Sequence, residues 1–318
     1  MRQSLSLLAL SLRLSLGLAS LIKRDATPEV TELLKFPDGA RLENFKVLPD
    51  GHLLVNTLSS NTVWDLDPTV SNPQPEKVVS LASVDALFGV TPLDKGLYAI
   101  SGGLHATTPN RFVPGSFRIN VIRPSSKTIV DSFSVPDTEF LNGLATLPKK
   151  PHVVLGADSY AGRILRIDTR THEITTAWSH PALSRGDNTT GLQIGVNGIR
   201  IKDGHLYFSN SRLGTFSRVL IDEDGIPTAE PDLIATLPGF EDGAHLLDDF
   251  DFDAHGNVYM TAHPSSLVKI TPDGKLTTVV GGDGTTTLVA PTSAEFTHDK
   301  KTLYVMSMTS QVLRVRFC

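Results

Sequence analysis

A short phrase recurs six times along this chain: a polar residue, an apolar stretch, a charged turn, then an apolar strand ending in Tyr, Leu or Val. Its anchors are Asn44, Phe88, Asn142, Asn197, Asp249 and Ser293, at steps of 44, 54, 55, 52 and 44 residues. A step of roughly fifty residues is the length of one four-stranded propeller blade. A propeller aims the start of every innermost strand at one central channel. The repeat therefore predicts an all-β, six-bladed β-propeller. It also predicts a place where Glu43, Asn44, Asn142, Asn197 and the Asp248–Asp249 pair converge.

The blades read in order as 42–68, a second from Leu87 through 117–135, then 140–178, 196–225 with a closing strand at Asp232–Leu237, 247–280 and 293–317. Period-two alternation and the Pro49-Asp50-Gly51 turn mark antiparallel pairing in the first blade. The sixth blade is one strand short at the C-terminus. The segment Glu29–Leu34 is a spare strand able to complete it, and such closure removes open sheet edges. No linker or low-complexity stretch separates the blades, so 21–318 reads as a single propeller domain. A β-sandwich or open β structure is the alternative, and the even spacing favours the propeller.

Residues 1–20 differ from the rest. Arg2 precedes a short apolar run ending in Ala19 and Ser20, the shape of a secretory signal peptide. Arg13 interrupts the run, which is too short and too broken to be a stable membrane anchor. A Lys23-Arg24 pair follows as a candidate processing site. Asn188-Thr189-Thr190 is a glycosylation sequon, so the chain is expected in the secretory pathway or secreted, with sugar on Asn188. The one cysteine, Cys318, leaves no intrachain disulfide. A net charge of -5 gives no basic footprint and argues against nucleic acid. No coiled coil or obvious edge strand specifies an oligomeric state.

The chemistry should lie at the centre. Asn142-Gly143-Leu144 and Asn197-Gly198-Ile199 repeat one phrase in successive blades, with glycine permitting a tight backbone beside a side chain that has both a carbonyl oxygen and an amide donor. Glu43 and Asn44 take the matching place in the first blade, Asp248 and Asp249 in the fifth. Two Asn oxygens with carboxylates make a hard oxygen set suited to Ca²⁺ or another divalent ion. Asn-Gly and Asp-rich segments also occur simply as turns. In 248–253, alternation sends Asp249, Asp251 and Asp253 to one face and Asp248 to the other, with one of them closing the turn that follows. His105, His245 and His263 flank inner strands, as acids, bases or solvated loop residues. Phe88, Phe112, Phe140, Phe240 and Phe250 are candidates for an apolar lining, and the polar segments 101–116 and 181–195 for the mouth. No nucleophile elbow, P-loop, dinucleotide fingerprint or zinc-spaced His/Cys set is present.

The phrases LENFKVLPDGHLLV, FLNGLATLP, VNGIRIKDGHLYFSNS and DDFDFDAHGNVYMTA resemble the senescence marker protein-30/gluconolactonase superfamily of six-bladed propellers over about residues 30–316. The resemblance implies a central divalent metal on Glu43, Asn142, Asn197 and Asp248. The chain departs from that pattern with Glu-Asn-Phe in the first blade, Asp-Asp in the fifth, and Phe140-Leu141 where lactonases place an Arg. The first blade and the leader resemble a branch of filamentous fungi that includes hetero-Diels–Alderases of tropolone–sesquiterpene (meroterpenoid) biosynthesis. That likeness implies a pericyclase joining an o-quinone-methide or tropolone-type partner to a humulene-type sesquiterpene, with no cofactor required for the cycloaddition. Asn142 and Asn197 would donate hydrogen bonds, and Glu43 and Asp248 would serve as acid or base. Asn44, Phe88, His105, Phe140, His245 and Asp249 are the expected contacts to small hydrophobic substrates. A metal-dependent lactonase and a non-enzymatic binding propeller are the alternatives.

Overall fold

The computed structural model describes residues 28–108, 111–186, 193–282 and 284–317. The predicted signal peptide, Asn188 and Cys318 lie outside them. Six antiparallel four-stranded sheets follow one another in chain order. Their inner strands are Leu42–Val47, Ala86–Pro92, Leu141–Leu147, Val196–Lys202, Leu246–Phe252 and Pro291–Phe296. Each inner strand packs on the next, and the sixth packs on the first, so the ring is closed. The all-β six-bladed propeller read from the repeat is the fold. No helix among the described residues is long and apolar enough to cross a membrane.

Ring closure takes the predicted route. Strand Glu29–Lys35 pairs antiparallel with Gln311–Arg316, from Glu29 opposite Arg316 to Lys35 opposite Gln311, and supplies the fourth strand of the last blade. Its neighbours Phe36, Leu42, Phe45, Tyr304, Met306 and Val312 share one core cluster, which ties both ends of the chain to the first blade. Burial falls from the channel outward. Leu141–Leu147 is almost wholly buried, whereas the outermost strand Thr128–Ser134 is mostly exposed. Aliphatic residues of inner and middle strands fill the interblade layers, as in Leu54, Val63, Leu87, Val90, Ile100 and Ile122 between the first two blades.

Every inner strand carries a β-bulge at the same height. The register slips between Leu42 and Phe45, Leu87 and Val90, Leu141 and Leu144, Val196 and Ile199, Leu247 and Phe250, and Pro291 and Ser293. A bulge inserts one extra residue and re-aims the side chains beside it. The bulged positions are Glu43-Asn44, Phe88-Gly89, Asn142-Gly143, Asn197-Gly198 and Asp248-Asp249, together with Thr292. The bulge also corrects the simple alternation expected for 248–253, because two consecutive aspartates occupy it and shift the period. Asp253 closes the following turn, accepting from the backbone N–H of His255 and of Asn257.

Bulging leaves inner-strand carbonyls without ladder partners, and buried side chains satisfy them across each seam. Asn56 donates to the Phe88 carbonyl at 2.6 Å, Ser101 to that of Asn142 at 3.3 Å, and Ser159 to that of Val196 at 2.5 Å. Ser211 donates to the Leu247 carbonyl at 2.7 Å, Thr261 to that of Thr292 at 3.1 Å, and Thr292 to that of Leu42 at 3.2 Å. One such bond joins each blade to the next around the ring. Nothing in the sequence pattern foretold it, since a Ser or Thr in a strand reads equally well as a solvated position.

The glycines after Phe88, Asn142 and Asn197 serve close approach. A Cβ on Gly143 would lie 2.5 Å from the Asn197 carbonyl oxygen, and one on Gly198 would lie 2.6 Å from Asp249 Oδ1. Both neighbours are held in the bulge layer. Gly143→Ala is therefore expected to wedge the third and fourth blades apart and cost about 1–3 kcal/mol or more, as overpacking does. Urea denaturation measures it, and an unchanged midpoint would show that the seam gives way easily.

Candidate functional site

The bulge layer forms the floor of a cavity of about 260 Å³ at one end of the channel. Glu43, Asn142, Asn197 and Asp248 all line it. The bulge settles the one-residue ambiguity of the sequence pattern: Glu43 and Asp248 share the height of the two Asn-Gly asparagines, and Asn44 and Asp249 do not line the cavity. Asn44 is buried and its Nδ2 reaches Glu43 Oε1 at 3.5 Å. Asp249 is held to one side by Arg200 Nη2 at 2.6 Å and by the Ser293 hydroxyl at 3.0 Å. Its other oxygen, Oδ1, is buried without a hydrogen-bond partner.

A chain of polar bonds crosses the floor. Asn142 Nδ2 donates to Asn197 Oδ1 at 2.8 Å, Asn197 Nδ2 donates to Ser211 Oγ at 2.9 Å, and the Ser211 hydroxyl donates to the Leu247 carbonyl at 2.7 Å. Because the Ser211 proton is committed to a carbonyl, its oxygen must accept, and this fixes which way the Asn197 amide faces. Asn142 is left with its Oδ1 buried and without a partner, in the wall of the cavity. Chains of this kind polarise one another in a site away from bulk water.

The two carboxyls face unequal surroundings. Burial pushes the Glu43 pKa well above the usual carboxylate range, and the negative charges of Asp248 and Asp249 push it further against a smaller pull from Arg41. Burial also raises Asp248, opposed by His263, whose Nε2 lies 3.3 Å from Asp248 Oδ2, and by the amide of Asn197. The pair thus combines a carboxyl inclined to hold its proton with one that has a cationic or proton-donating neighbour. Two titratable groups with environments this different are the pattern of an acid and its partner.

The opposite wall is aromatic. Phe88, Phe112, Phe140 and Tyr160 line the cavity from the second and third blades. Their rings meet edge-on or tilted, Phe88 at 5.0 Å from Phe112 and 4.9 Å from Phe140, and Phe140 at 5.0 Å from Tyr160. Leu58, Ile194, Leu246, Leu247 and Met308 complete the apolar rim. Three of the five phenylalanines singled out in the sequence are in the wall, while Phe250 is packed in an interblade core and Phe240 does not line the cavity.

His105 and His245 do not line it either. Each is paired with a nearby aspartate, His105 with Asp85 at 2.9 Å and His245 with Asp242 at 2.6 Å. His263 is the histidine that does, together with Tyr160 and Ser211. Ser211 had a readable signal, as the last polar residue of the FSNS strand end that follows the Asn197 phrase. Tyr160 had none, since it stands in the turn beyond a second strand.

The sequence pattern implies a divalent ion on Glu43, Asn142, Asn197 and Asp248. Asn197 turns its oxygen to Asn142 and an N–H to Ser211, so as placed its oxygen is engaged with a neighbouring side chain rather than open to a cation. Turning the amide over would set its oxygen against a hydroxyl oxygen that has already given its proton away. As arranged, the four side chains do not fit a bound cation. Among the described residues no group of three or more His, Cys, Asp and Glu side chains stands placed to hold one.

No protein-family profile matches the chain. It is 28% identical over 314 residues to a protein of Phoma sp. described as "Putative hetero-Diels-Alderase", covering 89% of this chain and 87% of that one. It is 26% identical over 326 residues to "Putative hetero-Diels-Alderase asR5" of Sarocladium schorii, covering 88% and 77%. Among solved structures it is similar to the gluconolactonase XC5397 of Xanthomonas campestris, with TM-score 0.65 and 12% identity over 94% of this chain and 93% of that one. It is also similar to virginiamycin B lyase of Staphylococcus aureus, with TM-score 0.60 and 12% identity over 92% and 100%. The structural likenesses establish the shared propeller fold, and the likeness to the two fungal sequences extends over most of the chain.

Proposed function

We propose that the chain is a hetero-Diels–Alderase that joins an o-quinone methide, of tropolone or phenol type, to a humulene-type sesquiterpene in fungal meroterpenoid biosynthesis. The observation that carries this reading is the division of one cavity into an aromatic wall and a floor of linked amides and carboxyls. The two relatives of similar length support it from outside.

A hydroxymethyl tropolone or phenol becomes the quinone methide by losing water. A carboxyl on the floor protonates the departing hydroxyl, and the ring hydroxyl gives up its proton to the partner base. The exocyclic carbon and the carbonyl oxygen then add across the alkene, forming one C–C and one C–O bond and closing a dihydropyran. No nucleophile of the protein is needed. Holding both partners in register supplies up to about 7–11 kcal/mol of the barrier. Amide N–H groups at the carbonyl oxygen stabilise the charge that gathers there and make the diene more electron-poor.

Ligand pockets usually measure about 300–1,000 Å³. A cavity of about 260 Å³ takes the small polar ring and the reacting edge of the alkene, with the rest of the hydrocarbon at the mouth. Asn142 has a second N–H beyond the one given to Asn197, free to donate to the ring oxygen.

The test incubates purified protein with a quinone-methide precursor and humulene, and separately with a panel of lactones, with and without exhaustive chelation. The expected result is one enantiomer of adduct, formed faster than the racemic background and unaffected by chelator. Racemic adduct together with chelator-sensitive lactone opening would overturn the reading in favour of a metal-dependent lactonase.

A further inference from the structure

One part of the cavity wall does not come from a blade. Phe112 is delivered by the connection between Tyr98–Gly103 and Arg118–Arg123, which runs far longer than a hairpin needs. The connection doubles back on itself, with an isolated bridge between His105 and Phe112 and a backbone bond from Val113 N–H to the Leu104 carbonyl at 2.8 Å. It is fastened to the propeller by the Gly115 N–H donating to the Thr138 carbonyl at 2.9 Å and by two side-chain contacts nearer Phe112. Asp85 Oδ1 accepts from the His105 backbone N–H at 2.8 Å and lies 2.9 Å from His105 Nδ1. The Arg111 guanidinium stands over the Tyr160 ring at 4.8 Å. Between these fastenings Phe112 is nearly fully buried, its ring 5.2 Å from that of His105 and 5.0 Å from those of Phe88 and Phe140.

We propose that Phe112 is the residue that selects the shape and the presented face of the hydrocarbon partner, and that Asp85 and His105 are positioning residues that act through it. The inference rests on the proposed cycloaddition for its stereochemical part only; its binding part needs no more than an apolar ring in the cavity. An inner-strand side chain is set by the ladder and the bulge beneath it. Phe112 belongs to no strand of a blade and has only the single bridge to His105, so its place depends on the loop fastening and on packing against Phe88, Phe117 and Phe140, and substitutions there reshape the wall without touching the floor. The Asp85–His105 contact is half-exposed and contributes little to global stability. Its effect is expected on the wall.

The experiment measures binding of cyclooctene, cyclododecene and humulene by thermal shift, and the enantiomer ratio of the adduct, for wild type, Phe112→Ala, His105→Ala and His105→Asn. Phe112→Ala should shift the ring-size preference toward the larger ring by about tenfold or more and turn a single enantiomer into a mixture, and it should also lower the melting temperature, because the ring belongs to a buried cluster. His105→Ala should move both readouts the same way by less. His105→Asn, which keeps a nitrogen donor near Asp85, should restore them. An unchanged ring preference and enantiomer ratio in Phe112→Ala would overturn the proposal. So would a His105→Ala variant that loses melting temperature with preference intact, since that is a structural role only. Rings that bind with a Phe112-dependent size preference, but no adduct, would leave this inference standing and sink the cycloaddition. No ring bound by wild type would sink both.

Discussion

Asn197→Ala is expected to lower kcat/KM for cycloaddition by about 10²–10³-fold, the usual loss when one preorganised donor to a developing oxyanion is removed. The side chain accepts from Asn142 and donates one N–H to Ser211, which leaves its second N–H for the substrate oxygen, and it draws the Asp248 carboxyl pKa downward. Removing it frees Asn142 to rotate, leaves the Ser211 oxygen without a donor and takes a lowering influence off Asp248. The loss should therefore exceed that of Ser211→Ala, which deletes the far end of the chain and leaves Asn142 bonded. Asn142→Ala should lie near Asn197→Ala, and the double variant should lose little more than either alone, because the two act as a unit. Kinetics with a preformed quinone methide, read by chiral chromatography, give the ordering. Rate and stereochemistry unchanged in both single variants would sink the assignment of the amides as donors to the quinone-methide oxygen.

The ring was legible because a propeller repeats. Six anchors at near-even steps fixed the number of blades, and the missing strand of the last blade pointed to Glu29–Leu34. Alternation in each phrase then gave the strands. The floor of the cavity was legible to one residue only, for a physical reason. Period two holds while the ladder is regular, and the bulge breaks it at the very residues that face the cavity. Glu43 against Asn44, and Asp248 against Asp249, could be told apart only once the extra residue was placed. Asn-Gly was easier to read, because the glycine admits the next blade's backbone and thereby marks the bulge. Side chains from outside the repeat were the hardest. Phe112 stood out as an aromatic residue but not as a wall fastened by His105, and Tyr160 stands in the turn beyond a second strand, where no pattern marks it. His105 and His245 matched the position of cavity residues in sequence, yet each is turned to a local aspartate.

Glu43→Gln should separate the two halves of the reaction. With the hydroxymethyl precursor the variant is expected to lose about 10²–10⁴-fold in rate, the range ascribed to a positioned general acid, because glutamine can hydrogen-bond to the leaving hydroxyl but cannot give it a proton. With preformed quinone methide the same variant should keep most of the wild-type rate, since its amide resembles the neutral carboxyl in shape. Wild type adds a pH signature. Glu43 acts protonated, and burial and the neighbouring aspartates raise its pKa, so the dehydration rate should fall as pH rises through that raised value, while the variant stays low and flat. Stability must follow with the same sign. A carboxyl whose folded pKa exceeds its unfolded value binds more protons in the folded state between the two. Its contribution is then fully present below the unfolded value and is lost as pH rises through the folded one. Each unit between them is worth about 1.4 kcal/mol. Glu43→Gln should accordingly melt higher than wild type at pH 8 and match it near pH 4. A variant that melts lower than wild type at pH 8, or that loses both halves of the reaction equally, would show that Glu43 is ionised in the folded protein and is not the acid.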